Sequence, residues 1–243
     1  MRPAAELKNF VREARALLAR ERGLAEFEIY CVSAEHRVAR LAYTSDIPCR
    51  GVEELKSHAA DGFALRIVTR HDPREIGTAT EAGDLSLASL RAALERARST
   101  ALVDPDFPGL PKTPRRLAHS PAGAAADGLM SAADGELVEA AWRIVSGALD
   151  AFSPAAIRER PAGLVLGGDV SIMRDRMALA SSNFDDLRAE AGAHFTSMVT
   201  ALIESVGAKG TASALGATLS EMRAAAARAG GAAVDIFILL SVF

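Results

Sequence analysis

Apolar positions at the start of the chain recur at helical spacing. Leu7, Phe10, Val11, Ala14, Leu17 and Leu18 fall on one side of a helix predicted over 4–20, with Lys8, Arg12, Glu13 and Arg15 on the other. Gly23 is the stop. The period then changes to two. Phe27, Ile29 and Cys31 alternate with Glu28, Tyr30 and Val32 in a predicted strand over 27–32, and Arg37–Tyr43 follows as a second strand. Asp46, Pro48 and Gly51 mark a turn, and Val52–His58 is taken as a short strand closed by Asp61-Gly62. Phe63, Leu65 and Ile67 define a strand over 63–69. His71-Asp72-Pro73-Arg74 supplies turn residues, and 75–80 returns as the next strand. Ser86 caps a helix whose stripe is Leu87, Leu90, Leu94, Ala97 and Ala101. Four prolines between 105 and 114 then require an extended connection.

Residues 115–133 are rich in Ala, Gly and Ser without periodicity and predict a flexible linker. From Asp134 a second long helix carries Leu137, Ala141, Ile144, Val145, Ala148 and Phe152, halted near Pro154. Strands are expected over 163–174, 177–182, 187–190 and 193–204, with a turn at Asn183-Phe184-Asp185-Asp186. An Ala-rich helix over 218–228 precedes the tail GGAAVDIFILLSVF. Tight turns between neighbouring strands imply antiparallel pairing. The predicted class is α+β: antiparallel β-meanders with helices packed on one side. The predicted organisation is a helix–β-meander–helix subdomain over 1–114, the linker 115–133, a second helix–β-meander–helix part of the same domain over 134–229, and an atypical apolar tail over 230–243.

Composition narrows the function classes. Lys+Arg 28 against Asp+Glu 31 leaves a net charge of −3, without the basic surplus a nucleic-acid binder needs to displace counterions. Arg91, Arg96 and Arg98 are interleaved with acids and read as a solvated helix face. The N-terminus is studded with charge and has no apolar signal core, and no apolar run reaches bilayer length, so a cytoplasmic protein without a membrane span is expected. Two cysteines, Cys31 and Cys49, lack C-x-x-C spacing and suit a reducing compartment.

Each candidate for chemistry meets a plainer reading. His71-Asp72 is turn chemistry rather than an acid–base pair, Cys31 a small core hydrophobe, Cys49 a loop thiol. Ser181 and Ser182 lack the G-x-S-x-G elbow. Gly167-Gly168 lacks G-x-G-x-x-G, and Gly207-Ala208-Lys209-Gly210-Thr211 lacks Walker spacing; both read as turns or bulges. Trp142 reads as core. No catalytic, cofactor-binding or metal-ligating residue is assigned.

The order of elements resembles the N-terminal domain of the TldD/PmbA family, formerly called modulator of DNA gyrase. FEIYCVSAEHRVARLAY matches its first hairpin and DGFALRIVTRHDPREIGTAT its glycine-led strand pair. DLSLASLRAALERARSTALVDPDFPGLP matches its helix and proline-rich exit, DPDFPGLP being the most specific piece. The stretch from Val170 to Ser213 is similar to the family's second meander, with Ser181-Ser182-Asn183 at its Asn-Ser-type turn. The resemblance covers roughly 5–225. It implies a zinc metallopeptidase family in which active members carry His-Glu-x-x-x-His and a later thiolate ligand, chemically apt for zinc with Glu as general base. An active member pairs with a metal-free paralogue, and the pair trims unfolded peptides.

This chain departs from the motif. None of His36, His58, His71, His119 and His194 is followed by Glu, so no metal residue carries over and zinc is expected only in a catalytic half. The chain ends about where that half should begin, and the tail from Ala232 leaves the family pattern, which gives the expectation of a truncated or frame-shifted reading frame. Two readings follow. One is a scaffold or peptide- and partner-binding domain of a TldD/PmbA-type peptidase, partnered by a family paralogue or receiving unfolded peptide on an edge strand. The other is a stand-alone interaction domain, homodimeric through its apolar tail. A self-sufficient metallopeptidase would need ligands that these histidines do not supply.

Overall fold

The computed structural model describes residues 1–47, 51–112, 127–152, 163–203 and 208–240; of residues 127, 203, 208 and 235–240 it describes the backbone. Helix α1 (Ala4–Leu18) leads into strands β1 (Leu24–Thr44), β2 (Lys56–Thr69) and β3 (Ile76–Ala82), then helix α2 (Leu87–Ser99). A one-turn helix α3 (Asp127–Ser131) and a long helix α4 (Asp134–Phe152) precede β4 (Leu164–Ser181), β5 (Phe184–Ile203), β6 (Ala208–Gly216) and helix α5 (Leu219–Leu240). The strands form one six-stranded antiparallel sheet in the order β3-β2-β1-β4-β5-β6, two meanders joined through β1 and β4, in agreement with the expected α+β class.

Residue contacts gather into two compact units, each drawn from three stretches because the long strands contribute to both. One unit is Met1–Glu35, Ala59–Gly123 and Asp175–Gly192; the other is His36–His58, Ala124–Arg174 and Ala193–Phe243. In the first, the buried stripe of α1 (Leu7, Phe10, Val11, Ala14, Leu18) and that of α2 (Leu90, Ala93, Leu94, Ala97) close over Phe27, Ile29, Cys31, Phe63, Leu65 and Ile67. Ser86 Oγ accepts the Ser89 N–H at 3.1 Å, the cap that the sequence predicts for α2. In the second unit α4 and α5 supply Leu137, Ile144, Val145, Met222 and Val234 over Leu41, Leu166, Ile172, Phe195 and Val199. Helix α5 opens with a capping box. Thr218 Oγ1 accepts the Glu221 N–H at 3.1 Å, and Glu221 Oε2 accepts the N–H groups of Ala217 (2.9 Å) and Thr218 (3.1 Å). Those bonds, the one from Ala217 first, hold the Glu221 carboxyl below its usual range.

Several expected breaks are absent. The strands predicted at 27–32 and 37–43 are one strand: odd-numbered residues are buried from Phe27 to Ser33 and again from Ala39 to Tyr43, so the alternation keeps one parity through the polar stretch between. The expected strand at 52–58 shrinks to an isolated bridge at Val52, and β2 starts at Lys56 and runs through Asp61-Gly62. Asp61 is held there by Arg2, whose Nε donates to Asp61 Oδ2 at 2.9 Å. Gly62 faces Ala82 so closely that a Cβ would lie 2.6 Å from the Glu81 carbonyl oxygen. Strands predicted at 163–174 and 177–182 are likewise one, and so are 187–190 and 193–204, the turn narrowing to Ser182-Asn183.

Further corrections concern the second unit. The end of the predicted linker is α3, with Leu129 and Ala132 buried. Of Gly207–Thr211, read as a turn or bulge, residues 208–211 are the start of strand β6, and Gly167-Gly168 lies inside β4, within the strand expected over 163–174, where Gly168 (φ 144°) passes against the Met198 carbonyl. Residues 230–240 of the predicted tail are the second part of α5, and Ala233 and Val234 join Ala229 in the core. Trp142, expected in the core, lies one position off the buried stripe of α4 and is 40% exposed, its ring covering the Gly51 backbone. Among the described residues no helix is long and apolar enough to cross a membrane.

Candidate functional site

In the first unit, two sequence features far apart in the chain meet on one carboxylate. Glu26 lies on β1 beside Phe27, with its side chain 14% exposed. Its Oε2 accepts the Leu110 N–H at 2.7 Å and an Asn183 Nδ2–H at 3.1 Å, and Asn183 Nδ2 also donates to the Leu110 carbonyl at 3.0 Å. The Pro-rich exit DPDFPGLP and the Ser181-Ser182-Asn183 turn are thereby fastened to the same side chain. Gly109 has φ 122°, and a Cβ there would sit 3.3 Å from Glu26 Oε1, so glycine is required at that step. Arg74 Nη1 stands 3.6 Å from Glu26 Oε1. Ser181 Oγ accepts the Asn183 N–H at 3.1 Å, while Ser182 Oγ accepts the Phe27 N–H at 3.0 Å. Both serine hydroxyls are thus engaged with backbone, and no base stands ready to activate either one. The arrangement is a clasp: a carboxylate that is hydrogen-bonded to backbone and amide fixes two loops.

The other side of this unit's sheet is open. Glu28 and Tyr30 on β1, Ala64 and Arg66 on β2, Thr78 and Thr80 on β3 and Leu179 on β4 line a shallow concavity of about 430 Å³, on the face turned away from α1 and α2. Its volume matches a ligand pocket, but its open sides suit an extended chain better than an enclosed small molecule. Arg66 Nη1 lies 4.0 Å from Glu28 Oε1. Burial, with the negative charge of Asp175, raises the Tyr30 phenol above its ordinary value, which keeps it a neutral hydrogen-bond donor. A second cleft, lined by Arg74, Asp104, Phe107 and Pro108, measures only about 40 Å³ and holds little more than water.

The candidates singled out in the sequence do not converge. His71 is 70% exposed in the turn between β2 and β3, with Nδ1 3.6 Å from Glu75 Oε2. His36 lies on β1, His58 on β2 and His194 on β5, and among the described residues no three His, Cys, Asp or Glu side chains could hold a metal ion. Cys49 and His119 lie outside the described residues. Cys31 is fully buried and free, and burial above all pushes its thiol up to about 12, with Asp61 adding to the shift. A thiol that resists ionisation is no nucleophile. It should resist alkylation in the folded protein at pH 8 and react fully once unfolded, as thiol titration with and without denaturant will read. A folded value raised above the unfolded one stabilises fully below the unfolded value of about 9 and is lost progressively above it. The midpoint of thermal unfolding should therefore fall between pH 9 and about 12, and less steeply in Cys31→Ala.

Sequence reasoning missed Glu26, Tyr30, Arg66, Thr78 and Thr80. Glu26 is 84 residues from Leu110 and 157 from Asn183, so no local pattern could join them.

No protein-family profile matches the chain, and no curated protein matches it. Solved structures do. A Thermotoga maritima protein assigned as a modulator of a DNA gyrase is similar over 95% of this chain and 47% of its own, with TM-score 0.66 and 14% identity. TldE from Thermococcus kodakarensis is similar over 94% and 46%, with TM-score 0.60 and 17% identity. A Bacteroides thetaiotaomicron protein assigned as a modulator of DNA gyrase is similar over 96% and 49%, with TM-score 0.62 and 13% identity. The chain spans about half the length of the structures it matches. At these identities the likeness is one of fold, and it is the fold anticipated from the resemblance to the TldD/PmbA family.

Proposed function

We propose that this chain, sharing its fold with TldE and with proteins assigned as modulators of DNA gyrase, serves as a scaffold and peptide- or partner-binding domain of the TldD/PmbA type, in proteolysis or peptide processing. The observation that carries the reading is the open, mixed-polarity face of the first unit's sheet. Threonine hydroxyls, the Tyr30 phenol and the Arg66–Glu28 pair stand over a floor of Ala64 and Leu179. An unfolded peptide presents main-chain donors and acceptors with apolar side chains between them, and this face offers partners to both. The Glu26 clasp keeps the loops beside β1 fixed, so the face is formed before a ligand arrives and less ordering entropy opposes binding.

Edge addition at β3 is disfavoured, because that edge is occupied. Ile76 and Leu102 exchange backbone hydrogen bonds (2.8 and 3.1 Å), Thr100 Oγ1 donates to the Thr78 carbonyl at 3.4 Å, and Arg96 Nη2 donates to that of Thr80 at 3.1 Å. The test is fluorescence anisotropy with labelled unstructured peptides. Tyr30→Ala and Arg66→Glu should each weaken binding about tenfold, the size of an interface anchor's loss, with unchanged melting temperature. A protein that binds neither unstructured peptides nor a family paralogue would sink the reading.

A further inference from the structure

Three residues of the second unit that can ligate a metal stand in one row across its sheet, on the face turned away from α4 and α5. On β1, Arg37 turns to α4, where its Nη1 donates to Asp134 Oδ1 at 2.6 Å, so His36 beside it faces the other way. On β4, Ile172 is core and Arg174 reaches the Leu129 carbonyl, so Met173 between them turns outward and is 43% exposed. On β5, Ala193 and Phe195 are core, and His194 between them turns outward too.

The register brings the three together. The Ser45 N–H donates to the Leu164 carbonyl at 2.9 Å, and the Ser182 N–H to that of Phe27 at 2.9 Å. Equal lengths of β1 and β4 lie between these two bonds, which sets His36 opposite Met173. Ser171 Oγ stands 2.9 Å from Thr196 Oγ1, and a Cβ on Gly192 would lie 3.4 Å from Asp175 Oδ1. Counting along β4 and β5 from either contact sets Met173 opposite His194. Strands β1, β4 and β5 are neighbours in that order, so the thioether has an imidazole on each side. The backbones of His36 and His194 are about 10 Å apart, twice the strand spacing, a gap that two inward-leaning imidazoles close on an ion above the sulfur. Neither imidazole makes a hydrogen bond or an ion pair among the described residues.

We propose that His36, Met173 and His194 form a three-coordinate site for Cu(I). Among the described residues no third His, Cys, Asp or Glu joins the two histidines, so the third donor is a neutral, polarisable thioether. Structural zinc is closed by four thiolate, imidazole or carboxylate ligands, and Cu(II) favours a tetragonal set of N and O. Two imidazoles and a thioether suit soft monovalent copper instead. All three donors are neutral, and a singly charged ion leaves less uncompensated charge on the half-buried face than a divalent one.

The site is independent of the open face of the first unit. Its test is an anaerobic titration of the full chain with Cu(I), in competition with bicinchoninate. One Cu(I) per chain should bind. Met173→Leu, His36→Gln and His194→Gln should each raise the Kd by at least the roughly tenfold that loss of an outer partner of a metal ligand costs. Cys49→Ser removes a competing thiol and should leave the Kd unchanged. A circular-dichroism melt shows that each variant is folded. A second readout needs no variant, because Cu(I) is diamagnetic. In the NMR spectrum of the wild type the Met173 methyl and the ring protons of His36 and His194 should shift together as Cu(I) is added. The methyl of Met198, 54% exposed on the same face, should stay. Absence of binding, a Kd that the three ligand substitutions leave unchanged, a Kd that depends on Cys49, or an unmoved Met173 methyl overturns the proposal.

Discussion

Gly147→Ala and Gly230→Ala should each destabilise the second unit by about 2 kcal/mol, and valine at either position by more, in urea unfolding. Ordinary helix energetics predict the reverse sign, since alanine in a helix interior is about 1 kcal/mol better than glycine. The reason is the approach of α4 to α5. A Cβ on Gly147 would lie 2.1 Å from the Ala227 carbonyl oxygen, and one on Gly230 would lie 2.0 Å from that of Ile144 and 3.0 Å from the Ala148 nitrogen. These neighbours are backbone, so no rotamer change relieves the clash and the helices must separate. Separation opens space among Ala140, Ala141, Ala148, Ala226 and Ala229, whose short side chains cannot fill it. The neighbours of these glycines supply the controls. Gly231 would place its Cβ 3.5 Å from the Gly147 carbonyl oxygen, ordinary contact, and Gly135 would meet nothing within 4 Å. Gly231→Ala and Gly135→Ala should therefore be neutral or stabilising. Equal losses at Gly230 and Gly231 would show that the close crossing is not what holds the pair.

The same crossing explains why part of the fold was legible and part was not. Helices α1, α2 and α4 each carry long apolar side chains at helical spacing, and their stripes in the sequence are their buried faces in the structure. Helix α5 is built on Ala and Gly; its first part reads as an Ala-rich helix over 218–228, but Gly230-Gly231 reads as the start of a tail although Gly230 serves backbone-to-backbone packing. Glycines misled for a related reason in the sheet. Gly62 looks like a strand end and Gly168 like a turn or bulge, yet both sit in strand interiors where a neighbouring backbone leaves no room for a Cβ. Strand β6 has the sequence AKGTASALG, without the large alternating residues that announce a strand, and its place comes from its pairing with β5. The clasp at Glu26 was half legible. Its two loops stood out as motifs, but the carboxylate that joins them is one acid among many in an alternating strand, and only the pairing of β1 with β4 brings it to Asn183.

Arg174→Ala should cost about 3 kcal/mol, the other large effect expected in this molecule. Arg174 stands on β4 and is 5% exposed. Its Nε donates to the Leu129 carbonyl at 2.8 Å and its Nη2 to the Ala132 carbonyl. The Leu129 carbonyl belongs to α3 and that of Ala132 lies just past its end, where a helix leaves its last C=O groups short of partners; the Leu129 carbonyl otherwise accepts only the Ala132 N–H, at 3.4 Å. The guanidinium replaces water there and sets a positive charge at the negative end of the helix. Removing it leaves the Ala132 carbonyl without this donor and the Leu129 carbonyl with only the long bond from the Ala132 N–H (3.4 Å), a loss of about 1–3 kcal/mol for an unsatisfied acceptor, and opens a cavity. Relief from burying a charge offsets part of this. A hydrophobic replacement of similar size can be neutral where both partners of a buried polar pair are replaced, but here the acceptors are main chain and cannot be. Arg174→Met should thus remain destabilising, by about 2 kcal/mol, and Arg174→Lys less so, because one ammonium can still reach a carbonyl. The order Ala, Met, Lys from most to least costly is the signature of an arginine that serves as the cap of α3. If Met proved as stable as Arg, the side chain would be filling volume and the carbonyls would find partners without it.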